Sequence, residues 1–213
     1  DVVAYGEQTS QAAAAVAAGA ALLTQNFNLN ETRDLPAYLL KNFIISGAID
    51  LDSTLGPNYK TGWGLVNVKA SLALMHAAHW QLFELQSQEV LEKEIIITHD
   101  TCKVTLVWHD APAQPLPFSL SPSLLNARQP MLLANLDLTV QAKSKAQALY
   151  YPFVLNGTHP AKEPTTALNY VDNVEQVLLV KQKGEILKVK VRLGNNYRGL
   201  VPASLVLKGA VFK

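Results

Sequence analysis

The stretch "ILKVKVRL", residues 186–193, has the clearest alternation of apolar and charged side chains in this sequence. Successive side chains of a β-strand point to opposite faces, so the alternation predicts a strand with one buried and one solvated face. The charged face carries Lys188, Lys190 and Arg192, and the apolar face consists mostly of Ile186, Val189, Val191 and Leu193. This pattern is typical of an antiparallel sheet that covers a core on one side.

Similar short runs rich in Val, Ile and Leu occupy much of the chain after residue 85. They are "EIIITHD" (94–100), "CKVTLVWHD" (102–110), "NLDLTVQA" (135–142), "VEQVLLVKQ" (174–182) and "ASLVLKGAVFK" (203–213). A proline-rich stretch at 110–130 predicts a long loop. Several short strands with no helical period between them predict an antiparallel β-sandwich or jelly roll.

The first 80 residues have a different period, which is helical. We expect an Ala-rich helix over 8–26, a second that has Pro36 at its first position and ends at Gly47, and a third over 65–80. The sequence therefore predicts an α+β fold in which a helical part, residues 1–82, precedes a β-sandwich, residues 83–213.

Composition excludes several classes of partner. The 213 residues are 49% hydrophobic and 16% charged, with a net charge of +1, so there is no basic excess for a nucleic acid. The longest apolar run, residues 12–23, is shorter than the roughly 20 residues that span a bilayer. We therefore expect neither a nucleic-acid nor a membrane partner. The single cysteine, Cys102, is interpreted as a small strand residue.

Two interpretations fit Thr9 and Ser10, the hydroxyl residues at the start of the Ala-rich helix. Either hydroxyl could cap a buried helix, because Ser and Thr accept hydrogen bonds from unpaired backbone N–H groups. Alternatively, Ser10 is a nucleophile at a helix N-terminus, where the helix dipole favours developing negative charge.

Several segments of the sequence resemble, in the same order along the chain, the C-terminal part of the subtilisin-like serine peptidases (subtilases). "QTSQAAAAVAAGAALL" (8–23) is similar to the family's Gly-Thr-Ser-Met-Ala-x-Pro segment, and "YKTGWGLVNVKASL" (59–72) to its Gly-(Tyr/Trp)-Gly-x-Val-(Asp/Asn) segment. "VTLVWHDAPA" (104–113), "NLDLTV" (135–140) and "DNVEQVLL" (172–179) resemble the β-sandwich that follows the catalytic domain in some members. The resemblance implies that residues 1–82 are the C-terminal remnant of a subtilisin-like α/β domain.

By this resemblance Ser10 matches the nucleophile of a serine endopeptidase and Thr9 its neighbour. Gln8, Gln11 and Ala14 replace the family's Gly, Met and Pro. The family's Asp, His and oxyanion Asn precede the serine, whereas this sequence begins nine residues before it. We therefore expect a fragment that is inactive alone, that acts on polypeptides within a longer enzyme, and that is secreted, extracellular or periplasmic.

An alternative is a catalytically dead subtilase-like protein whose β-sandwich binds protein or glycan. In that interpretation the changes at Gln8, Gln11 and Ala14 record lost catalysis. In either case the apolar faces of residues 1–80 lack the upstream strands that bury them in the family. We therefore expect self-association, helix swapping, or rearranged packing of residues 1–80 against the sandwich.

Acidic side chains in the sandwich segments are candidate calcium ligands, since calcium prefers carboxylate and carbonyl oxygens. The candidates are Asp110, Asp137, Asp172 and Glu175. The alternative is that each accepts backbone N–H bonds at a turn. The three tryptophans, Trp63, Trp80 and Trp108, are interpreted as packing residues rather than a sugar-binding face.

Overall fold

The computed structural model describes residues 1–51, 55–114, 130–143, 148–181, 183–194 and 197–213. Within these ranges the chain combines helices with antiparallel sheets, as predicted. The helices are α1 (Thr9–Asn30), α2 (Ala37–Gly47) and α3 (Val68–His76). The strands are β1 (Trp80–Leu85), β2 (Val90–Ile97), β3 (Thr101–Trp108), β4 (Leu136–Ala142), β5 (Leu149–Tyr150), β6 (Phe153–Val154), β7 (Thr165–Thr166), β8 (Val174–Val180), β9 (Ile186–Leu193), β10 (Val201–Lys208) and β11 (Ala210–Phe212).

Two antiparallel sheets enclose the main core. Sheet I has the strand order β1-β10-β3-β8, sheet II has the order β11-β2-β9-β4-β5, and β6 and β7 form a separate hairpin. The apolar side chains between the two sheets form one cluster that includes Leu106, Trp108, Leu138, Val189 and Leu205. This cluster is the sandwich core that the alternating strands predict.

The helices add a third layer on the other face of sheet I. Helix α2 packs across β10 and β3, and Val206 of β10 belongs to a buried cluster with Phe27 of α1 and Phe43 of α2. The Trp80 ring lies 5.7 Å from the Phe27 ring and 6.0 Å from the Phe43 ring, measured between centroids. The helical part therefore packs against the sandwich through a shared apolar core.

A buried polar network holds α2 to sheet I. The Asn42 side chain is fully buried, and its Nδ2 donates to the carbonyls of Thr105 and Ser204, each at 3.0 Å. The Ser46 hydroxyl donates to Asn42 Oδ1 at 3.0 Å. Because a buried amide is costly without partners, these bonds fix how α2 sits on the sheet.

Several predicted element boundaries differ from the observed ones. Helix α1 extends to Asn30 instead of residue 26, and Pro36 is the N-cap of α2 instead of its first residue. On β9 the inward face carries Leu187, Val189 and Val191, whereas Ile186 shares the outer face with the basic side chains. Side chains alternate strictly between the two faces of a strand, so Ile186 points to the same side as Lys188. The prediction that Ile186 lies on the apolar face was wrong.

The segment 80–85 forms strand β1. The sequence predicts a helix up to residue 80 and does not name a strand at 80–85. The expected boundary between residues 82 and 83 falls within this strand. Of the predicted loop at 110–130, residues 115–129 lie outside the described ranges. None of the described helices is long and apolar enough to cross a membrane.

Candidate functional site

Ser10 lies in the first turn of α1, and its side chain is exposed to solvent. The N-cap is Gln8, and no side chain caps this end of the helix. The capping interpretation of Thr9 and Ser10 was therefore wrong, because both residues are already inside the helix. The same interpretation expected a buried helix. This was wrong for the first half of α1, where most alanines are exposed.

The backbone beside Ser10 has N–H groups available to a ligand. The amides of Gln11 and Ala12 donate to the Gln8 carbonyl at 3.1 and 3.2 Å. The amides of Thr9 and Ser10 have no acceptor within the described part of the chain. Together with the dipole of a 22-residue helix, these donors can stabilise an oxyanion next to the Ser10 hydroxyl.

A tight turn delivers the chain into this helix. The backbone N–H of Glu7 donates to the Gln11 side chain, with 2.8 Å between Glu7 N and Gln11 Oε1. At Gly6 a Cβ atom would lie only 2.8 Å from the Ala12 amide nitrogen, so a larger residue would push the turn away from the helix. The sequence did not single out Gly6, and only the fold shows what it does.

Gln8 stands where the resemblance places a glycine, and the structure shows what this change does to the backbone. Its φ and ψ are −135° and 155°, an extended conformation that any residue adopts. Gln8 therefore causes no backbone strain next to Ser10.

An open groove lies beside this helix terminus, with a volume of about 490 Å³. Its walls are the segment 2–9 and the first turns of α1, and its apolar side chains include Val2, Val3 and Val16. The segment is anchored by a parallel bridge, with Val3 N donating to the Gly64 carbonyl at 3.0 Å. Gln8 and Thr9, which directly precede Ser10, belong to the lining of the groove.

No histidine within the described residues forms a hydrogen bond with the Ser10 hydroxyl. The Ser10 hydroxyl makes no side-chain hydrogen bond there, and all five histidines belong to the described part. His76 is exposed at the end of α3, His99 contacts Thr98, and the His109 amide donates to the Pro202 carbonyl. The site has a hydroxyl and amide donors, and none of the described residues places a base in contact with the hydroxyl.

Two of the four predicted calcium ligands, Asp137 and Glu175, lie near each other, but no three of these side chains form a group within the described residues. The Asp110 carboxylate accepts the amides of Leu133 and Ala134 at 2.9 and 2.7 Å. The Asp137 carboxylate accepts from Asn135 Nδ2 at 2.9 Å and from Arg192 Nε at 3.1 Å. Asp110 accepts backbone N–H groups, which is the alternative that the sequence left open, whereas Asp137 accepts from two side chains.

Glu175 and Asp172 have different surroundings. Glu175 is fully buried on the inner side of β8, and its Oε2 accepts the Leu138 amide at 2.5 Å. Burial raises the pKa of the Glu175 carboxyl to about 9, so the acid is protonated at neutral pH. Asp172 is exposed and lines a cavity of about 170 Å³ with Lys41 and Trp63.

Among the described residues, no three His, Cys, Asp or Glu side chains form a group that could hold a metal. A calcium site at these carboxylates stays a prediction, since calcium takes six to eight oxygen ligands and carbonyls and waters can supply part of the set.

The tryptophans pack, as predicted. Trp108 is fully buried, and its indole N–H donates to the Ala134 carbonyl at 2.8 Å. The Trp80 indole donates to the Met75 carbonyl at 3.0 Å. Trp63 is partly buried against a small cluster with Ile45 and Val107.

Comparison with known proteins adds no family assignment. No protein-family model matches the sequence, and no curated protein matches it significantly.

Proposed function

We propose that this chain is the C-terminal part of a subtilisin-like serine endopeptidase and that Ser10 is its nucleophile. The observation that carries the proposal is the exposed Ser10 hydroxyl in the first turn of a long helix, next to amides that have no acceptor in the described structure. The unstrained backbone at Gln8 supports it, because the turn does not need the glycine of the family motif.

In this proposal a histidine outside the present sequence takes the proton from Ser10 Oγ as it attacks the peptide carbonyl. An aspartate, also from outside, orients that histidine. The amide of Ser10 itself donates to the oxyanion of the tetrahedral intermediate. The groove lined by Val2, Val3 and Val16 receives the missing part of the enzyme or its polypeptide substrate.

The proposal extends to the architecture and the location of the whole enzyme. Residues 1–82 would be the end of the subtilisin-like domain, the two sheets a jelly-roll appendage, and the enzyme would work outside the cytoplasm.

The chain alone is expected to be inactive, since a serine hydroxyl is a weak nucleophile without an adjacent base. The test is labelling with a fluorophosphonate probe, on this chain alone and on the full-length protein. Labelling is expected only in the full-length protein and should vanish in Ser10→Ala. The control variant Ser87→Ala, which removes an exposed serine of the sandwich, should label normally.

The changes from the family motif at Gln8, Gln11 and Ala14 favour a second candidate, a catalytically dead relative whose sandwich binds protein or glycan. Unlabelled full-length protein would reject the endopeptidase proposal in favour of this one. A full-length sequence without upstream His and Asp residues would have the same consequence.

A further inference from the structure

Two lysines lie directly opposite each other on neighbouring strands of sheet I. Lys103 of β3 and Lys208 of β10 are register partners, and their side chains lie on the face of the sheet that carries the helices. Like charges in this arrangement repel and destabilise a sheet unless an anion compensates them. The pair therefore needs negative charge nearby.

The described residues supply one carboxylate to this pair. Asp50 Oδ2 lies 2.9 Å from Lys103 Nζ, and Lys103 is only 8% exposed. Lys208 makes no ion pair or hydrogen bond within the part of the chain that the structure describes. Burial and the Lys103 charge lower the pKa of Lys208, while Asp50 opposes this shift. The cluster of three groups keeps one unit of positive charge.

The cluster faces an open cavity of about 370 Å³. Ala48 and Ile49, which follow α2, form its apolar wall. Thr101, which carries a hydroxyl group, also lines the cavity. A buried and a half-buried cation beside an apolar wall suit an anion with an organic tail better than a fully hydrated inorganic ion. A single negative charge is enough to neutralise the cluster.

We propose that this cavity binds the carboxylate of a small organic acid or of a peptide C-terminus, with Lys208 as the principal donor and Lys103 as the second. The Asp50–Lys103 ion pair orients the second ammonium, and the Ala48–Ile49 wall contacts the apolar group next to the carboxylate. This site is separate from the proposed nucleophile and does not depend on it.

The test is a titration followed by amide NMR shifts at Ile49, Thr101 and Gly209, at constant ionic strength. The probes are acetate, N-acetyl-Ala-Leu as the free acid, and the same dipeptide as its C-terminal amide. Saturable shifts are expected for the free acid and not for the amide. Saturation by acetate as well would identify a site for free small acids, whereas binding of the dipeptide alone would identify a site for peptide C-termini.

The decisive variant is Lys208→Met, which keeps the side-chain stem and removes the charge. It should weaken binding of the free acid about tenfold or more, the usual effect of losing a charge-assisted hydrogen bond. Lys69→Met, at an exposed position on α3, is the matched control and should bind like the parent. Far-UV circular dichroism verifies that both variants are folded.

Three outcomes would overturn the proposal. They are equal binding of the free acid and the amide, unchanged affinity in Lys208→Met, and the absence of saturable shifts with any probe.

Discussion

Asn42 shows how one buried side chain can join two layers of a protein. Its Nδ2 lies 3.0 Å from the carbonyls of Thr105 and Ser204 and 3.1 Å from the Ser204 hydroxyl. Removing the amide leaves buried acceptors unsatisfied and opens a cavity. We expect Asn42→Ala to lower the free energy of unfolding by about 3 kcal/mol.

Urea denaturation of the parent and of Asn42→Ala measures this loss. Gln25→Ala, an exposed change on α1, serves as the control and should stay within about 0.5 kcal/mol of the parent. Equal stability of Asn42→Ala and the control would show that the network does not hold α2 to the sheet.

Glu175 makes the stability depend on pH. Its pKa is raised to about 9 from an ordinary value of 4.5, mainly by burial. Between these two values the folded state holds a proton that the unfolded state has released, so stability falls as the pH rises. The slope contributed by one such group is at most about 1.4 kcal/mol per pH unit.

Glu175→Gln should abolish this dependence, because the amide cannot ionise and its carbonyl can still accept the Leu138 amide. The measurement is urea unfolding at a series of pH values from 5 to about 9. The variant should be more stable than the parent at pH 8 and should approach it at pH 5. Parallel profiles for the two proteins would contradict the raised pKa.

For single residues, the sequence predicted the environment correctly where neighbouring residues in the chain determine it. Cys102 is fully buried in β3, as its setting among apolar strand residues indicated. The burial of Glu175 could not be predicted from the sequence, because it depends on β4 packing opposite β8. The pairing of Lys103 with Lys208 could not be predicted either, because it depends on which strands become neighbours.

Close approach of helices sets the geometry of the helical layer. At Gly47, the last residue of α2, a Cβ atom would lie 2.8 Å from the backbone nitrogen of Ser71 in α3. Backbone cannot move aside as a flexible side chain can. Gly47→Ala should therefore destabilise the protein by about 1–3 kcal/mol through overpacking.

Thermal unfolding followed by circular dichroism provides the measurement. The matched control is Gly157→Ala, where the nearest atom to a Cβ would be Tyr59 Oη at 3.4 Å, so little change is expected. A Gly47→Ala protein as stable as this control would mean that α2 and α3 can separate at low cost.

At the level of elements, periodicity predicted β9 well, because buried side chains alternate along it with less buried ones. It failed for β1, which begins after a three-residue connection from α3. Ala78 has a positive φ of 53° in this connection, a conformation that ends the helix. Strand β1 forms because β10 pairs with it along its whole length, and such long-range pairing has no local signal.

The exposed face of α1 bears on how whole molecules behave in solution. Ala14, Ala18 and Leu22 lie along it, and Leu22 is 57% exposed. Because contiguous apolar surface tends to be covered, we expect the isolated chain to self-associate. Light scattering should show an apparent mass that rises with protein concentration.

The pair of changes Ala14→Glu and Ala18→Lys should restore a monomer. Both residues are good helix formers, and their spacing allows an ion pair. The control Val180→Lys places a charge on another exposed apolar residue, at the edge of sheet I, and should leave association unchanged. A concentration-independent monomeric mass for the parent would refute the expectation.

Strand β1 has a practical consequence for anyone who wishes to separate the two halves of this protein. A cut after residue 82 would divide the strand, leaving Trp80 and Leu82 with the helices while β10 lost half of its edge partner. Val206 would then lose the apolar cover that those two side chains share with it. Proteases should consequently release no stable sandwich from the native protein, and heat should melt both halves in a single transition.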